Sequence, residues 1–161
     1  MGLPLPDDAS AGSELAAEYA AAREREGRVM AILRALGPRA EVVRAFLELA
    51  DAVLYGPAAL GRRERELLAL ATSEANGADY SAGVHATLLS ELGDAGEHDE
   101  ALRAFARRVT LAPAEARDAV AALQAHLTDA EVYDAVAVVG LLNLANRSAL
   151  ATGITVEDDL P

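Results

Sequence analysis

The sequence predicts an all-α protein, a bundle of about eight helices, and three observations carry that expectation. Alanine, leucine, glutamate and arginine, all strong helix formers, dominate a chain that is 52% hydrophobic and only 4% aromatic. Glycine, proline and asparagine fall between segments whose apolar residues recur at helical spacing, which is the punctuation of a helical bundle. A Thr128–Glu131 capping box opens the longest such segment.

The elements follow in order. Residues 1–10, with Pro4, Pro6, Asp7 and Asp8, read as a flexible leader ahead of one helical domain over 11–161. A first helix runs from Ser13 to Glu26 and stops at Gly27. A second covers Arg28 to Leu36 and is closed by Gly37-Pro38. A third spans Arg39 to Tyr55, with Val42, Val43, Phe46, Leu47 and Leu49 on a wide apolar face, and Gly56-Pro57 ends it. The fourth, from Arg62 to Ala75, meets a C-cap signal at Asn76-Gly77. The fifth begins at Ala78 or Asp79 and reaches Leu92. The sixth spans Glu97 to Val109, and Pro113 opens the seventh, to about Leu127. The eighth ends near Gly153 and is apolar on nearly every side from Val132 to Leu144, as suits a helix in the centre or in a subunit interface. No internal repeat stands out, and the tail ITVEDDLP reads as extended.

Charge and composition exclude several functions. A formal net charge of −12 disfavours nucleic acid and anionic membranes as partners. Every basic residue is arginine, and pairs such as Arg62-Arg63 read as solvated helix faces. The longest unbroken apolar run, Ala135 to Leu142, falls far short of the ~20 residues that span a bilayer. The first ten residues resemble no secretion signal, and Pro6 stands where a myristoylation signal needs Ser or Thr. The expected compartment is the cytoplasm. With no cysteine anywhere, disulfides, thiolate metal sites and cysteine nucleophiles are all excluded. No histidine pair has metal-ligand spacing, so no metal is expected, and no other cofactor.

The stretch Glu66 to His85, ELLALATSEANGADYSAGVH, carries the chemistry. If the fourth and fifth helices fold back on each other at Asn76-Gly77, Glu66 and His85 lie within roughly one turn of the same height, at ~1.5 Å rise per residue. A carboxylate and an imidazole can then face each other across the hairpin. Ser81 stands four residues before His85, on the same helix face. Ala78 and Ser81 sit in the first turn of the fifth helix, where free N–H groups favour negative charge. On the residues alone, a buried histidine satisfied by one carboxylate and one hydroxyl is the plainer reading. Tyr80 reads as packing at a helix start, His98 and His126 as solvent-facing or capping groups. Asn143, Asn146 and Arg147 read as capping and interface hydrogen bonding.

The same stretch resembles the signature of the alkylhydroperoxidase D-like (AhpD-like), carboxymuconolactone decarboxylase family, in which Glu, a Cys-x-x-Cys pair and His recur at fixed spacing. The pattern here reads Glu66, Ala78-Asp79-Tyr80-Ser81, His85, so Ala78 and Ser81 stand at the two cysteine positions. The flanks LYGPAALGRRERELLALA and LTDAEVYDAVAVVGLLNLANR resemble the peroxidase-related branch, and the likeness runs from Val29 to Pro161. It implies an AhpD-like bundle assembled as a homotrimer or homohexamer. It also implies an antioxidant oxidoreductase chemistry in which Glu and His relay a proton from a cysteine, whose thiolate attacks a hydroperoxide.

Neither thiol is present. A serine hydroxyl is far less acidic than a thiol and has no ladder from sulfenic acid to disulfide, and alanine has no reactive atom. The expectation is a degenerate or divergent member without thiol peroxidase activity. One alternative is a cysteine-free, decarboxylase-like enzyme using Glu66 and His85 for acid–base chemistry on a small ligand, since imidazole moves protons near neutral pH. Another is a non-catalytic structural or ligand-binding homologue. A Ser81 nucleophile activated by His85 is a further possibility, and it needs an oxyanion hole at the start of the fifth helix.

Overall fold

The computed structural model describes residues 3–155, and all regular structure within them is helical. The elements are α1 (Ser13–Glu26), α2 (Ala31–Ala35), α3 (Ala40–Ala50), α4 (Arg62–Asn76), α5 (Asp79–Ser90), α6 (Asp99–Leu111), α7 (Ala116–Leu123) and α8 (Asp129–Thr152). The expected all-α bundle of eight helices is therefore present. Two short segments depart from α geometry. Asp51–Tyr55 continues α3 as a π-helix, and Pro113–Glu115 forms a 3-10 turn ahead of α7. Ahead of α1, Asp7 and Ser10 close a turn through the Ser10 N–H and Asp7 Oδ1 (2.7 Å), and Asp8 pairs with Arg34 at 3.1 Å. The tail beyond Thr155, expected to be extended, lies outside the described residues.

α4 is the central element. Every residue from Arg65 to Ser73 is buried, and α4 packs against α5, α6 and α8. Its sequence is not simply amphipathic, because each of three neighbours covers a different side. The capping box at the start of α8 is formed: the Glu131 N–H donates to Thr128 Oγ1, and the Thr128 N–H donates to Glu131 Oε2 (2.8 Å). Gly77 ends α4 in the left-handed region (φ 65°), which a glycine adopts without Cβ strain, and so turns the chain back into α5.

Two apolar clusters make the interior. One joins α4, α6, α7 and the first half of α8 through Leu67, Leu68, Leu102, Phe105, Leu123 and Val138. The other joins α1, α2 and α3 to the last part of α8 through Tyr19, Leu33, Val43, Ala145 and Ala149. α8 thus runs through both. Its 24 residues, with a mean hydropathy of 1.3 over the most apolar stretch, are long and apolar enough to cross a bilayer by length and composition, which the count of unbroken apolar residues missed. Half of that stretch is buried against the other helices, and packing accounts for the apolarity of that half. The wide apolar face expected on α3 is only partly used, with Val43 buried and Leu49 exposed.

The interior also contains a polar ladder. Asn143 donates to Thr110 Oγ1 (3.2 Å) and to the Val139 carbonyl (3.0 Å), and accepts from Asn76 Nδ2 (3.1 Å). Ser73 Oγ lies 3.3 Å from Asn146 Oδ1. Asn143 and Asn146 therefore join α8 to α4 and α6 within the chain rather than capping a helix, and Arg147 is exposed. His98 stands at the N-cap of α6 without a side-chain cap bond, and its ring lies 6.1 Å from that of His126.

One ion pair ties α6 to α4. Arg63 donates twice to Asp99, at 2.7 and 2.6 Å, and this guanidinium is the chief reason the Asp99 carboxyl lies below its ordinary value of 3.8. A group depressed in the folded state stabilises above its unfolded value, and that stabilisation fades as pH falls through the folded one. Asp99→Asn is expected to cost about 1 kcal/mol at neutral pH, roughly 2–4 °C in Tm. Thermal melts of the two proteins should converge as the pH drops below 3.8. A gap that persists unchanged into acid would assign the cost to packing instead.

Candidate functional site

The hairpin at Gly77 brings Glu66 and His85 together. His85 Nδ1 lies 2.7 Å from Glu66 Oε2, with the glutamate 0% and the histidine 8% exposed. A carboxylate buried this completely needs compensating charge, because desolvation of an unpaired ion is costly. It is supplied by Arg62, one turn earlier on α4, which forms an i,i+4 ion pair with Glu66 Oε1. The Arg62 guanidinium also donates to the Leu54 carbonyl (3.1 Å) and stacks on the Tyr55 ring, 4.1 Å from its centroid.

The π segment explains why two arginines stand at the start of α4, where the helix dipole disfavours cations. Ending a helix leaves carbonyls without partners. Arg65, also buried, donates to the carbonyls of Val53 (3.2 Å) and Gly56 (2.9 Å), and Arg62 takes that of Leu54. The reading of Arg62-Arg63 as a solvated face is therefore corrected: Arg62 holds the buried carboxylate and Arg63 holds Asp99. Arg62 and Tyr55 are site residues that the family pattern did not supply. The i,i+4 spacing of Arg62 and Glu66 was the available signal.

With an arginine on one oxygen, Glu66 suits the acceptor role toward an N–H on His85 Nδ1, and in the neutral ring that tautomer leaves Nε2 with a lone pair. The ring borders a cavity of about 80 Å³ at the seam between the two apolar clusters. Met30, Ile32, Phe46, Val84, Leu88 and Leu142 supply much of its wall, and Arg25, Glu26, Asp51 and Tyr55 also border it. Ser81 is buried and lines the same cavity, but among the described residues no hydrogen bond joins it to His85, so the contact a Ser–His nucleophile requires is not made. Ala78 is buried at the N-cap of α5 and borders a different groove, between the start of α5 and the end of α8. Tyr80 lines both spaces and packs into the second cluster. Among the described residues no group of three or more His, Asp or Glu side chains is placed to hold a metal ion.

This all-helical frame is the AhpD-like fold. It is shared with a peroxidase-related protein described as an alkylhydroperoxidase AhpD core from Ralstonia eutropha JMP134, at 25% identity and a TM-score of 0.78 over 95% of this chain and 90% of that one. A peroxidase-related protein from Silicibacter sp. TM1040 superposes with a TM-score of 0.74 at 22% identity, over 96% of this chain and 90% of that one. A variant of the debrominase Bmp8, solved in complex with 2,3,4-tribromopyrrole, has the same fold at 15% identity and a TM-score of 0.75, over 97% and 91% of the two chains. No functionally curated protein matches the chain significantly. The chain belongs to the carboxymuconolactone decarboxylase family, whose model matches residues 40–125, just over half of the chain and the whole stretch from Glu66 to His85.

The tautomer is directly measurable. Nitrogen-15 NMR of imidazole-labelled protein is expected to show His85 with its proton on Nδ1, and Glu66→Gln is expected to lose that fixed state. A native His85 protonated on Nε2 alone would contradict the assignment.

Proposed function

We propose that this protein is a cysteine-free member of its family that has no thiol peroxidase activity and uses Glu66 and His85 as an acid–base pair on a small ligand. The observation that carries the reading is the 2.7 Å contact between a fully buried carboxylate and an imidazole that borders an apolar cavity. Glu66 fixes the tautomer and steadies the imidazolium, Arg62 balances the carboxylate, and His85 Nε2 takes a proton from a ligand in the cavity and returns it. Ser81, on the same wall, offers a hydroxyl that can hydrogen-bond the ligand. A non-catalytic role would leave the pair as a satisfied polar contact. The cavity bordered by His85 favours the acid–base reading.

Hydroperoxide reduction needs an ionisable, oxidisable atom at position 78 or 81, and the chain offers a methyl group and a hydroxyl. The native protein, supplied with an alkyl hydroperoxide and a dithiol, is expected to show no turnover above background. An Ala78→Cys/Ser81→Cys double variant is expected to gain it. Turnover by the native protein that falls on His85→Ala would overturn the reading.

We also propose that the chain self-associates as a trimer or hexamer through the outer face of α8. Tyr133, Val136, Leu144 and Leu150 are exposed there, Tyr133 by 77%. Light scattering coupled to gel filtration should give a multiple of the 16.7 kDa chain mass, and Tyr133→Glu/Leu144→Glu should shift it toward monomer. A monomer for the unmodified chain would end this part.

A further inference from the structure

We infer that the His85 cavity selects a small neutral molecule carrying a hydrogen-bond donor and excludes carboxylates. The inference rests on the reading of His85 as the group that faces the ligand, and it adds what the ligand must be. Size sets the first limit. An engineered apolar cavity of about 150 Å³ holds the six carbons of benzene, so a cavity of about 80 Å³ encloses roughly three to four non-hydrogen atoms and leaves the rest of a small ligand in its open mouth.

Polarity sets the second. The wall is formed largely by aliphatic and aromatic side chains, so most of the ligand surface meets no polar partner. On that wall His85 Nδ1 is engaged with Glu66, and the neutral ring presents a lone pair on Nε2. The complementary ligand group is a donor, an N–H or O–H, rather than a bare acceptor.

Charge sets the third. A carboxylate ligand needs a cation whose charge is not already balanced, and each arginine near the cavity is ion-paired. Arg62 is paired with Glu66. Arg25 donates through Nε to Glu26 (2.9 Å) and through Nη1 to Asp51 (2.9 Å), a bridge from the last turn of α1 to the first residue of the π segment. Around the cavity two arginines therefore face three carboxylates, on a chain whose formal net charge is already −12. The other source of positive potential, the first turn of α5, carries Asp79. An entering anion would have to displace an existing ion pair or remain unpaired in an apolar space, and either outcome is unfavourable.

The test uses two molecules of nearly identical shape. Isobutyramide is neutral and donates N–H; isobutyrate is an anion and donates nothing at neutral pH. Each is titrated into the full-length protein while the imidazole nitrogen resonances of His85 are followed. Isobutyramide is expected to shift them saturably, and isobutyrate to bind at least about tenfold more weakly. Val84→Phe, which fills the cavity beside His85, should abolish the isobutyramide response. Ala50→Leu, on another part of the wall, provides a second obstruction if the first variant fails to fold. Equal or tighter binding of isobutyrate would overturn the inference, and so would the absence of any response to either molecule. Peroxide turnover by the native protein would end the proposed function while leaving these two affinities in place, so the two failures are distinguishable.

Discussion

The structure depends on one buried carboxylate. Glu66 lies on α4, the helix that packs against α5, α6 and α8, and it has no surface in water. An isolated carboxylate in that position would be strongly destabilising, so the surroundings must supply charge and hydrogen bonds. Arg62 supplies the charge from one helical turn away, and His85 supplies the hydrogen bond from the neighbouring helix. The π segment completes the arrangement, because its end places the Leu54 carbonyl and the Tyr55 ring against the Arg62 guanidinium. π-helical insertions recur at functional sites, and here the insertion has an identifiable job: it positions the cation that makes the buried carboxylate tolerable.

That dependence separates the frame from the reaction. The Glu66–His85 contact, the Gly77 turn and the arginine support involve no sulfur atom, so replacing both cysteines of the family pattern leaves them intact. Ser81 keeps a polar atom on the cavity wall, whereas Ala78 faces a separate groove and contributes a methyl group. The two positions joined by sulfur chemistry in the family pattern therefore have different surroundings here. Losing the thiols removes an oxidisable centre from one of these spaces without emptying the other of functional groups. The Glu66–His85 pair remains, and His85 borders the cavity.

The helices, and the chance for Glu66 and His85 to face each other, were legible in the sequence because both rest on local rules. Gly27, Gly77 and Gly153 end helices at positive φ, where capping statistics place them, and the Thr128–Glu131 box starts α8 as written. Pairing Glu66 with His85 needed only helical rise and a hairpin. What was not legible is non-local. A π segment within Asp51–Tyr55 has no composition of its own, and the sequence reads there as plain continuation of α3. The burial of Arg65 depends on carbonyls nine and twelve residues away, so an arginine-rich stretch passed for a solvated face. Asn143 and Asn146 likewise look like capping residues until three helices are seen to share them. The cavity is the extreme case, since its walls come from α1, α2, α3, the π segment, α5 and α8, and no short window of sequence contains it.

Where the cavity sits explains why a small chain can hold both a stable interior and a site. Two apolar clusters meet along α8, and perfect packing at such a seam requires side chains from six segments to interdigitate at once. A gap at that junction costs less than one within either cluster, because each cluster is already closed around its own helices. The polar side chains on its wall include His85, held by Glu66, and Arg25 with its partners Glu26 and Asp51. Each side satisfies its own charges before any ligand arrives. With these ions already paired, the cavity offers an incoming molecule mainly apolar contact beside the Ser81 hydroxyl and the His85 ring, so the constraint that permits Glu66 to be buried also bears on the proposed choice of ligand.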